Sequence, residues 1–341
     1  MAKRILLVGE LWKQDRGPNG VNVKNSNILR YLSAKETMNI SVVDTYNWRK
    51  RQIAVLFSLV FSLMNKNRIV ISLNSLSAYR VLRLINFMGL SSKTIYIAVG
   101  GNLFEQIISE RWNLKVYKQL RVIFVQTKKM QENGKLLGME NVEILPNAKF
   151  FNSISYRTRE ESDSVRCFYL GRIIPEKGVE MIFQVLEDFE RTGDPRLEVD
   201  FYGPVDESYK EKFFEKVEER KFAKYKGTLD FNNSESYLRL SKYSLCLFPT
   251  FWDGEGFPGI VVDSLIAGVP ILASNWNHNS EVIHDGKTGL LFRSKRLDDF
   301  RQKLEFLINN RELLAEMSRN SLAEAQRFRA EEVYELLDRY L

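Results

Sequence analysis

The 341-residue sequence predicts an α/β protein with parallel sheets, and three observations support that class. Short apolar runs recur along the chain, as expected for strands that are buried on both faces. Helix-like stretches separate these runs, so strands and helices alternate. The alternation is interrupted by a polar stretch at 151–163 and then begins again. The sequence therefore predicts two α/β domains joined near residue 160.

Apolar runs predict the strands of the first domain at 3–8, 40–43, 69–73, 94–99, 122–125 and 142–145. In parallel sheets ligands bind beyond the carboxyl ends of the strands. The candidate loops of this domain are therefore 10–22, 74–77, 100–102, 126–127 and 146–147. Strands of the second domain are predicted at 166–170, 197–202, 244–248, 270–273 and 289–292. From 297 onwards the pattern is charged amphipathic helix, with breaks near 309–310 and 328–329.

Composition limits the partners. The net charge of +7 and the pI of about 9.2 favour acidic partners such as nucleotide phosphates, nucleic acid or an anionic membrane, although solubility alone would also explain them. Cys167 and Cys246 both lie in apolar strand-like runs. Two buried thiols are typical of a reducing compartment, so a cytoplasmic protein is expected. The apolar run at 5–8 is too short for the core of a signal peptide.

The most apolar run, at 53–64, has two interpretations. Its length of about a dozen residues is too short to cross a bilayer, which needs roughly 20. Basic residues precede it at 49–51 and follow it at 66 and 68, which is typical of a helix lying on an anionic membrane surface. The run is apolar nearly all round, however, and this favours a helix buried in the core.

Two loops of the second domain carry the candidate chemistry. The first follows strand 166–170 and contains Arg172 and Lys177, which could bind a diphosphate or could be solvated loop charges. The second follows strand 244–248 and leads into a helix at Pro258, a residue suited to a first helical turn. Gly256 and Gly259 leave backbone amides unshielded there, and a helix N-terminus favours phosphate. Glu255 could accept hydrogen bonds from sugar hydroxyls, so a nucleotide sugar would suit both loops.

The combination of these motifs resembles a known family. The segments are Gly171-Arg172 with Pro175-Glu176-Lys177-Gly178, Glu255-Gly256-Phe257-Pro258 with Asp263-Ser264 and Ala267-Gly268-Val269-Pro270, Glu281-Val282-Ile283 with Asp285-Gly286 and Thr288-Gly289-Leu290-Leu291, and Leu145-Pro146-Asn147. They resemble the retaining family-4 glycosyltransferases of the GT-B fold, closely over 165–295 and only in architecture over 1–160. The resemblance implies two Rossmann-like domains facing a central cleft. Residues 1–160 would bind the acceptor, 161–325 the nucleotide sugar, and the helix in 326–341 would pack back on the first domain.

The resemblance also implies roles for individual residues. Arg172 and Lys177, next to Gly171, match the pair that binds the donor diphosphate, and Glu255 matches the acid that contacts donor-sugar hydroxyls. Asp263 takes the place of a glutamate that binds the nucleotide ribose, but it is one methylene shorter and could instead be a helix-packing residue. The remaining donor contacts would be the amides from Gly256 through Phe257 and Pro258 to Gly259, together with Gly20 in a loop over the phosphates. A turn that needs positive φ is the alternative for Gly20.

One departure from the family concerns histidine. Many members carry a histidine in the first domain near the reacting sugar, whereas this chain has only His278 and His284. Gly100, Gly101 and Asn102 lie roughly where that histidine is expected, so Asn102 is given only a sugar contact. We expect His278 to lie on the surface and His284 to be structural.

The resulting expectation is a retaining transferase that moves a sugar from a nucleotide sugar, with UDP-sugar as the expected donor. The acceptor would be a glycan or a lipid-linked glycan of bacterial surface polysaccharide assembly, with possible peripheral contact to an anionic membrane and no nucleic-acid partner. No metal or cofactor is expected, because the sequence has no Asp-x-Asp pair and no His/Cys cluster with ligand spacing. A non-catalytic nucleotide-sugar-binding protein is the alternative. A tandem-Rossmann oxidoreductase is disfavoured because no Gly-x-Gly-x-x-Gly follows the first strand.

Overall fold

The structure, a computed structural model, describes residues 2–11, 13, 19–63, 66–153, 164–231 and 234–341. The chain divides into two compact units. The first unit comprises Met1–Phe150, Gly254–Phe257 and Phe328–Leu341, and the second comprises Phe151–Asp253 and Pro258–Arg327. The domain boundary expected at 160–161 lies outside the described residues.

The first unit is built on a six-stranded sheet in which every neighbouring pair of strands is parallel, in the order β2-β1-β3-β4-β5-β6. Strand β1, the second in this order, aligns Leu7 with Val42 on one side and with Val70 on the other. Apolar side chains cover both faces of the sheet, which explains why its strands read as continuous apolar runs. The strands are β1 Lys3–Gly9, β2 Met38–Asp44, β3 Arg68–Ser72, β4 Thr94–Ile97, β5 Val122–Val125 and β6 Val142–Ile144.

Helices connect these strands, and two short C-terminal helices complete the unit. Ala330, Tyr334, Leu337 and Leu341 are buried in the same core as Ile5 and Leu7 of β1. Near the chain end, the carbonyl oxygen of Tyr340 accepts hydrogen bonds from Arg68 Nε at 2.7 Å and from Arg121 Nε at 2.8 Å. The helices of this unit are α1 Gly20–Ser33, α2 Gln52–Leu63, α3 Ser75–Phe87, α4 Leu103–Ser109, α5 Leu114–Lys118, α6 Lys128–Leu136, α14 Ala330–Val333 and α15 Glu335–Asp338.

The second unit has a second parallel six-stranded sheet, in the order β12-β11-β10-β7-β8-β9. Its helices pack their apolar faces on the sheet, for example through Phe183 of α7, Phe213 of α8 and Phe300 of α12. The strands are β7 Val165–Leu170, β8 Leu197–Tyr202, β9 Ala223–Tyr225, β10 Leu245–Phe248, β11 Ile271–Asn275 and β12 Gly289–Arg293. The helices are α7 Val179–Arg191, α8 Lys210–Glu218, α9 Glu235–Leu240, α10 Gly259–Ile266, α11 Asn279–Val282, α12 Leu297–Asn309 and α13 Arg311–Ala325.

The predicted α/β class with parallel sheets is confirmed, and each of the eleven predicted strands has a counterpart. Strand β9 was not predicted, because its three residues, Ala223–Tyr225, are too few and too polar to form an apolar run. The predicted helix break near 309–310 separates α12 from α13. Cys167 and Cys246 are free and fully buried, and burial raises the pKa of both thiols.

The prediction of a buried helix at 53–64 is wrong. In α2 only Leu59 and Leu63 are buried, whereas Ile53, Phe57 and Phe61 are each about three-quarters exposed. Apolar composition all round the helix could not reveal this, because one face packs on the edge of the sheet and the other does not. None of the described helices combines the length and the apolar character that crossing a bilayer requires.

Candidate functional site

The loop after β7 places Arg172 and Lys177. Tyr169 Oη donates to the carbonyl oxygen of Arg172 at 2.8 Å, and Ile173 N donates to Pro204 O at 2.9 Å. The loop then makes a short 3₁₀ turn, Pro175–Lys177, and leads through Gly178 into α7. Backbone and side-chain hydrogen bonds therefore fix the path of the loop at the carboxyl end of β7, as the sequence predicted for its position.

Gly178 is required at the end of that turn for two reasons. Its φ of +77° lies in the left-handed region, which other residues rarely adopt. A Cβ atom at this position would also lie 2.1 Å from the carbonyl oxygen of Pro249. The glycine thus lets the Lys177 turn press against the chain that leaves β10.

Trp252 brings the two cations together. Lys177 Nζ lies 4.5 Å from the centroid of the Trp252 ring, and Arg172 Cζ lies 5.4 Å from it. Both distances are within the range of cation–π attraction, in which the ring positions a cation without neutralising it. Lys177 is largely buried, with 9% of its surface exposed, so it is not the solvated loop charge that the sequence left open. Sequence reasoning missed Trp252, although a tryptophan in a loop of glycines and carboxylates was the available signal.

A cavity of about 360 Å³ adjoins this ring in the second unit. Arg172, Trp252, Glu176, Asp206, Ser208 and Tyr209 are among the residues that line it. Hydrogen bonds from Ser208 lower the pKa of Asp206, and the charge of Arg172 lowers it further. The cavity is therefore lined by a cation, an aromatic face and two carboxyl side chains, a set that can bind a charged and hydroxylated ligand.

Hydrogen bonds to main-chain carbonyl oxygens within the second unit hold the loop that carries Trp252. Phe251 N donates to the carbonyl oxygen of Glu176 at 2.9 Å, which ties this loop to the Lys177 turn. Trp276 Nε1 donates to Trp252 O at 2.9 Å. Asn277 Nδ2 donates to Asp253 O at 3.1 Å. The position of Trp252 is thus fixed through its main chain.

The segment Gly254–Phe257, which contains Glu255, belongs to the first unit. Phe257 N donates to Gln126 Oε1 at 3.1 Å, and Asn147 Nδ2 donates to Phe257 O at 2.5 Å. Gln126 Nε2 in turn donates to Asn147 Oδ1 at 3.1 Å. The loops after β5 and β6, which the sequence singled out as candidate ligand loops, therefore hold this segment.

Glycines on both sides allow the same segment to approach the loop after β4. A Cβ atom on Gly101 would lie 2.4 Å from the carbonyl oxygen of Glu255. One on Gly256 would lie 2.5 Å from Gln126 Oε1 and 2.9 Å from backbone atoms of Gly100 and Gly101. Glu255 itself is 7% exposed. Only glycine permits this backbone-to-backbone packing, so Gly101 and Gly256 position Glu255.

Two details of the predicted phosphate cap need correction. The amide of Phe257 is engaged by Gln126, and Pro258 has no N–H, so of the predicted run only the amides of Gly256 and Gly259 could serve a phosphate. Pro258 precedes the first helical turn, because α10 begins at Gly259 with Pro258 as its N-cap residue.

Asp263 lies inside the second unit. It is 4% exposed on α10, and its Oδ1 accepts a hydrogen bond from Tyr237 Oη of α9 at 3.1 Å. Burial and the charge of Asp263 raise the pKa of Tyr237. This contact between two helices is what the helix-packing interpretation requires. A ribose contact by Asp263 stays a prediction.

Gly20 is the first residue of α1, and Gly17 and Pro18 before it lie outside the described residues. Its φ is not positive, so the alternative explanation by a strained turn is wrong. Asn19 caps the helix, with Oδ1 accepting from Val21 N and Asn22 N at 2.9 Å each. Among the described residues, no atom comes within 4 Å of the place where a Cβ would lie on Gly20.

Lys24, one turn further along α1, has a buried side chain. It is 5% exposed, and its Nζ has no hydrogen-bond acceptor within the part of the chain that the structure describes. Burial lowers its pKa to about 7. Sequence pattern alone does not indicate this burial, because a lysine near a helix start is usually exposed.

Of the residues expected near the donor sugar, Asn102 lies at the N-cap position of α4 and is half-buried. The expectation that His278 is exposed is wrong: it is 5% exposed, and its Nδ1 lies 3.3 Å from Glu281 Oε1. His284 Nε2 lies 3.2 Å from Glu324 Oε1, an ordinary structural contact. Within the described ranges, no three His, Cys, Asp or Glu side chains are grouped as metal ligands.

The two parallel six-stranded α/β sheets are those of the GT-B fold. Residues 151–323 match the family described as Glycosyl transferases group 1. Because this match covers half of the chain, the chain belongs to that family.

Solved structures share the fold over nearly the whole chain. Anabaena HepE in complex with UDP-glucose has a TM-score of 0.75 at 13% identity, with 98% of each chain covered. Sucrose-phosphate synthase from Thermosynechococcus elongatus has a TM-score of 0.76 at 11% identity, with 99% of this chain and 98% of that chain covered. At these identities the similarity shows the fold alone.

Curated relatives match over shorter regions. An uncharacterized glycosyltransferase of Methanocaldococcus jannaschii is 25% identical over 164 residues, or 47% of this chain and 43% of that protein. The capsular polysaccharide biosynthesis glycosyltransferase CapH of Staphylococcus aureus is 30% identical over 132 residues, or 38% of this chain and 36% of that protein. The chain thus spans less than half the length of these two relatives.

Proposed function

We propose that this protein is a glycosyltransferase that moves a sugar from a UDP-sugar to a glycan or lipid-linked glycan acceptor, with retention of the anomeric configuration as in family 4. The observation that carries the proposal is the pair of cations, Arg172 and Lys177, at the ring of Trp252. Two supporting facts are the UDP-glucose bound to HepE, which shares the fold, and the capsule assembly named for CapH. The same proposal assigns the protein to bacterial surface polysaccharide assembly in the cytoplasm, consistent with its two free thiols.

In the proposed reaction, the bond between the anomeric carbon of the sugar and the β-phosphate oxygen breaks. An acceptor hydroxyl oxygen bonds to that carbon from the same face, and its proton goes to an oxygen of the departing diphosphate. Arg172 and Lys177 stabilise the negative charge that develops on the diphosphate, and the amides of Gly256 and Gly259 add to this. Removing one such preorganised donor costs on the order of 3 kcal/mol in the transition state.

The other residues have supporting roles in this proposal. Glu255 accepts hydrogen bonds from hydroxyls of the donor sugar, and Gly20 lets the chain approach the phosphates. Residues 161–325 bind the donor, and residues 1–160 bind the acceptor. No metal or cofactor takes part in these steps, because the protein's own cations neutralise the diphosphate.

The test is the release of nucleoside diphosphate from a panel of nucleotide sugars. Lys177→Met and Glu255→Ala should each lower the turnover of the preferred donor by about 100-fold, since each removes a polar contact to the donor. The matched control is Lys216→Met, because Lys216 also lies over an aromatic ring, 5.7 Å from Phe183, but is paired with Glu180. Undiminished turnover in Glu255→Ala would show that the site assignment is wrong. Donor binding without turnover on any acceptor would favour the non-catalytic alternative.

A further inference from the structure

Helix α2 is apolar on two opposite faces, of which only one is covered. The inner face uses Leu59 and Leu63, which are buried, and Val55, which is partly buried against the same core. The outer face forms a second stripe with the i, i+3, i+4, i+7, i+8 spacing that normally faces a protein core. Its members, here called the α2 outer stripe, are Ile53, Leu56, Phe57, Val60 and Phe61, exposed by 75%, 54%, 73%, 37% and 76%.

The outer stripe is not compensated by polar neighbours along the helix. Between Gln52 and Leu63, only Gln52, Ser58 and Ser62 are polar, and none is charged. The helix packs on β1 and β2, and β2 is the edge strand of the sheet, where Val42 is also 37% exposed. An apolar surface of this kind at the edge of a domain marks an interaction site.

The charge of the surrounding sequence identifies the partner. Between Asp44 and Glu105 the chain has no acidic residue, although about one residue in eight is acidic overall. The same stretch has eight basic residues: Arg49, Lys50, Arg51, Lys66, Arg68, Arg80, Arg83 and Lys93. Lys50 and Arg51 are exposed directly before α2. Such a stretch repels a second copy of itself and is attracted to an anionic surface.

We propose that the α2 outer stripe docks the protein on an anionic lipid bilayer. The helix is about 18 Å long at 1.5 Å per residue, so it lies in the interface plane and does not cross the bilayer. Phe57 and Phe61 enter the boundary between head groups and acyl chains, while Lys50 and Arg51 contact lipid phosphates. This inference rests on α2 and its neighbours and does not depend on the proposed transfer reaction. Together, the two proposals place a transferase at the surface where a lipid-linked acceptor is found.

The test is flotation of the purified full chain with vesicles of phosphatidylcholine alone and of phosphatidylcholine mixed with phosphatidylglycerol. Wild type should float with the anionic vesicles, and less so as salt rises, because screening weakens the attraction of the basic residues. The double variant Phe57→Ser/Phe61→Ser should bind anionic vesicles at least about tenfold more weakly, because it removes the two phenylalanine rings that enter the bilayer in this proposal. Both side chains are exposed, so the fold should persist, and circular dichroism checks this.

Matched control variants distinguish loss of the α2 outer stripe from loss of any exposed aromatic or basic side chain. Phe306→Ser changes an exposed phenylalanine on α12 and should leave flotation unchanged. Lys50→Glu/Arg51→Glu should weaken binding to anionic vesicles, whereas Lys224→Glu/Lys226→Glu, the same charge change at exposed lysines of the second unit, should not. UDP release from the donor in lipid-free solution should be equal in all five proteins, so a failed transfer reaction is distinguishable from failed docking.

Three outcomes would overturn the proposal. The first is a wild-type protein that does not float with phosphatidylglycerol vesicles, and the second is a Phe57→Ser/Phe61→Ser variant that floats as wild type does. The third concerns a protein interface. If sedimentation shows a wild-type dimer that this variant converts to a monomer, while neither protein binds vesicles, the stripe is a contact between copies of the chain.

Discussion

Lys24 predicts how the stability of the protein depends on pH. Its side chain is 5% exposed, and burial lowers its pKa from 10.5 to about 7 in the folded chain. Between these values the unfolded state holds a proton that the folded state lacks, so stability rises with pH. The slope is about 1.4 kcal/mol per pH unit for one proton. Over the whole interval between the two pKa values, the free energy of unfolding rises by on the order of 5 kcal/mol. The same amount is lost as the pH falls back towards 7.

The perturbation is Lys24→Met, which keeps the length of the side chain and removes the titrating group. At pH 7 we expect the variant to be more stable than wild type, because it no longer buries an ammonium group. That advantage should shrink by about 1.4 kcal/mol per unit as the pH rises from about 7 to about 9. Urea unfolding at several pH values measures it, with Lys135→Met on α6 as the exposed control, for which no such trend is expected.

The test is the difference in unfolding free energy between Lys24→Met and wild type at each pH, since the other groups titrate equally in both proteins. A difference that stays constant with pH would show that Lys24 does not change its protonation state on unfolding. A variant less stable than wild type at every pH would show that the ammonium group is charged and bound in the folded chain. Either result would refute the assignment of Lys24 as a neutral buried amine.

Three further predictions concern the candidate site. Gly178→Ala should destabilise the second unit by more than about 2 kcal/mol, because a left-handed φ and a contact with Pro249 both oppose a side chain, and thermal unfolding measures this. An unchanged midpoint would mean that the turn relaxes. Gly20→Ala should leave the free energy of unfolding nearly unchanged, since the added Cβ meets no described atom. It should lower donor turnover, because the proposal has the chain approach a phosphate at Gly20. Turnover equal to that of wild type would remove Gly20 from the site. Tyr237→Phe should cost about 1–3 kcal/mol by removing a hydrogen bond to buried Asp263, measured as a urea midpoint, and no loss would show that this bond contributes nothing.

The strands were the most predictable part of the fold. The interior strands of the two sheets are covered on both faces, so their residues had to be apolar whatever their neighbours are. The edge strand β9, Ala223–Tyr225, needs few apolar side chains and did not form an apolar run. For helix α2, the sequence predicted the secondary structure but not the burial. Its composition predicted a helix, but composition cannot tell a covered apolar face from an uncovered one.

Within the candidate site, the sequence predicted the cations and the loops but not their partners. Arg172 and Lys177 were recognisable because they follow a strand and precede a helix. Trp252, about 75 residues further along, could be connected with them only through the fold. His278 was placed on the surface because its neighbours in sequence are asparagines, whereas its burial depends on residues distant in sequence. A local sequence pattern does not show which residues distant in sequence are in contact in the fold.

Gly256 and Gly101, which pack at Glu255, can be required for two different reasons. The sequence pattern explains Gly256 by an unshielded amide that a phosphate could use. In the structure a side chain at Gly256 is also excluded by Gln126 and by the backbone of Gly100 and Gly101. A substitution there would therefore displace Glu255 even if no phosphate were bound. Gly101 has the reciprocal role, because its own side chain would strike the carbonyl oxygen of Glu255. It follows that loss of activity in Gly256→Ala would not by itself identify a phosphate contact, whereas a matching loss in Gly101→Ala would assign the effect to the position of Glu255.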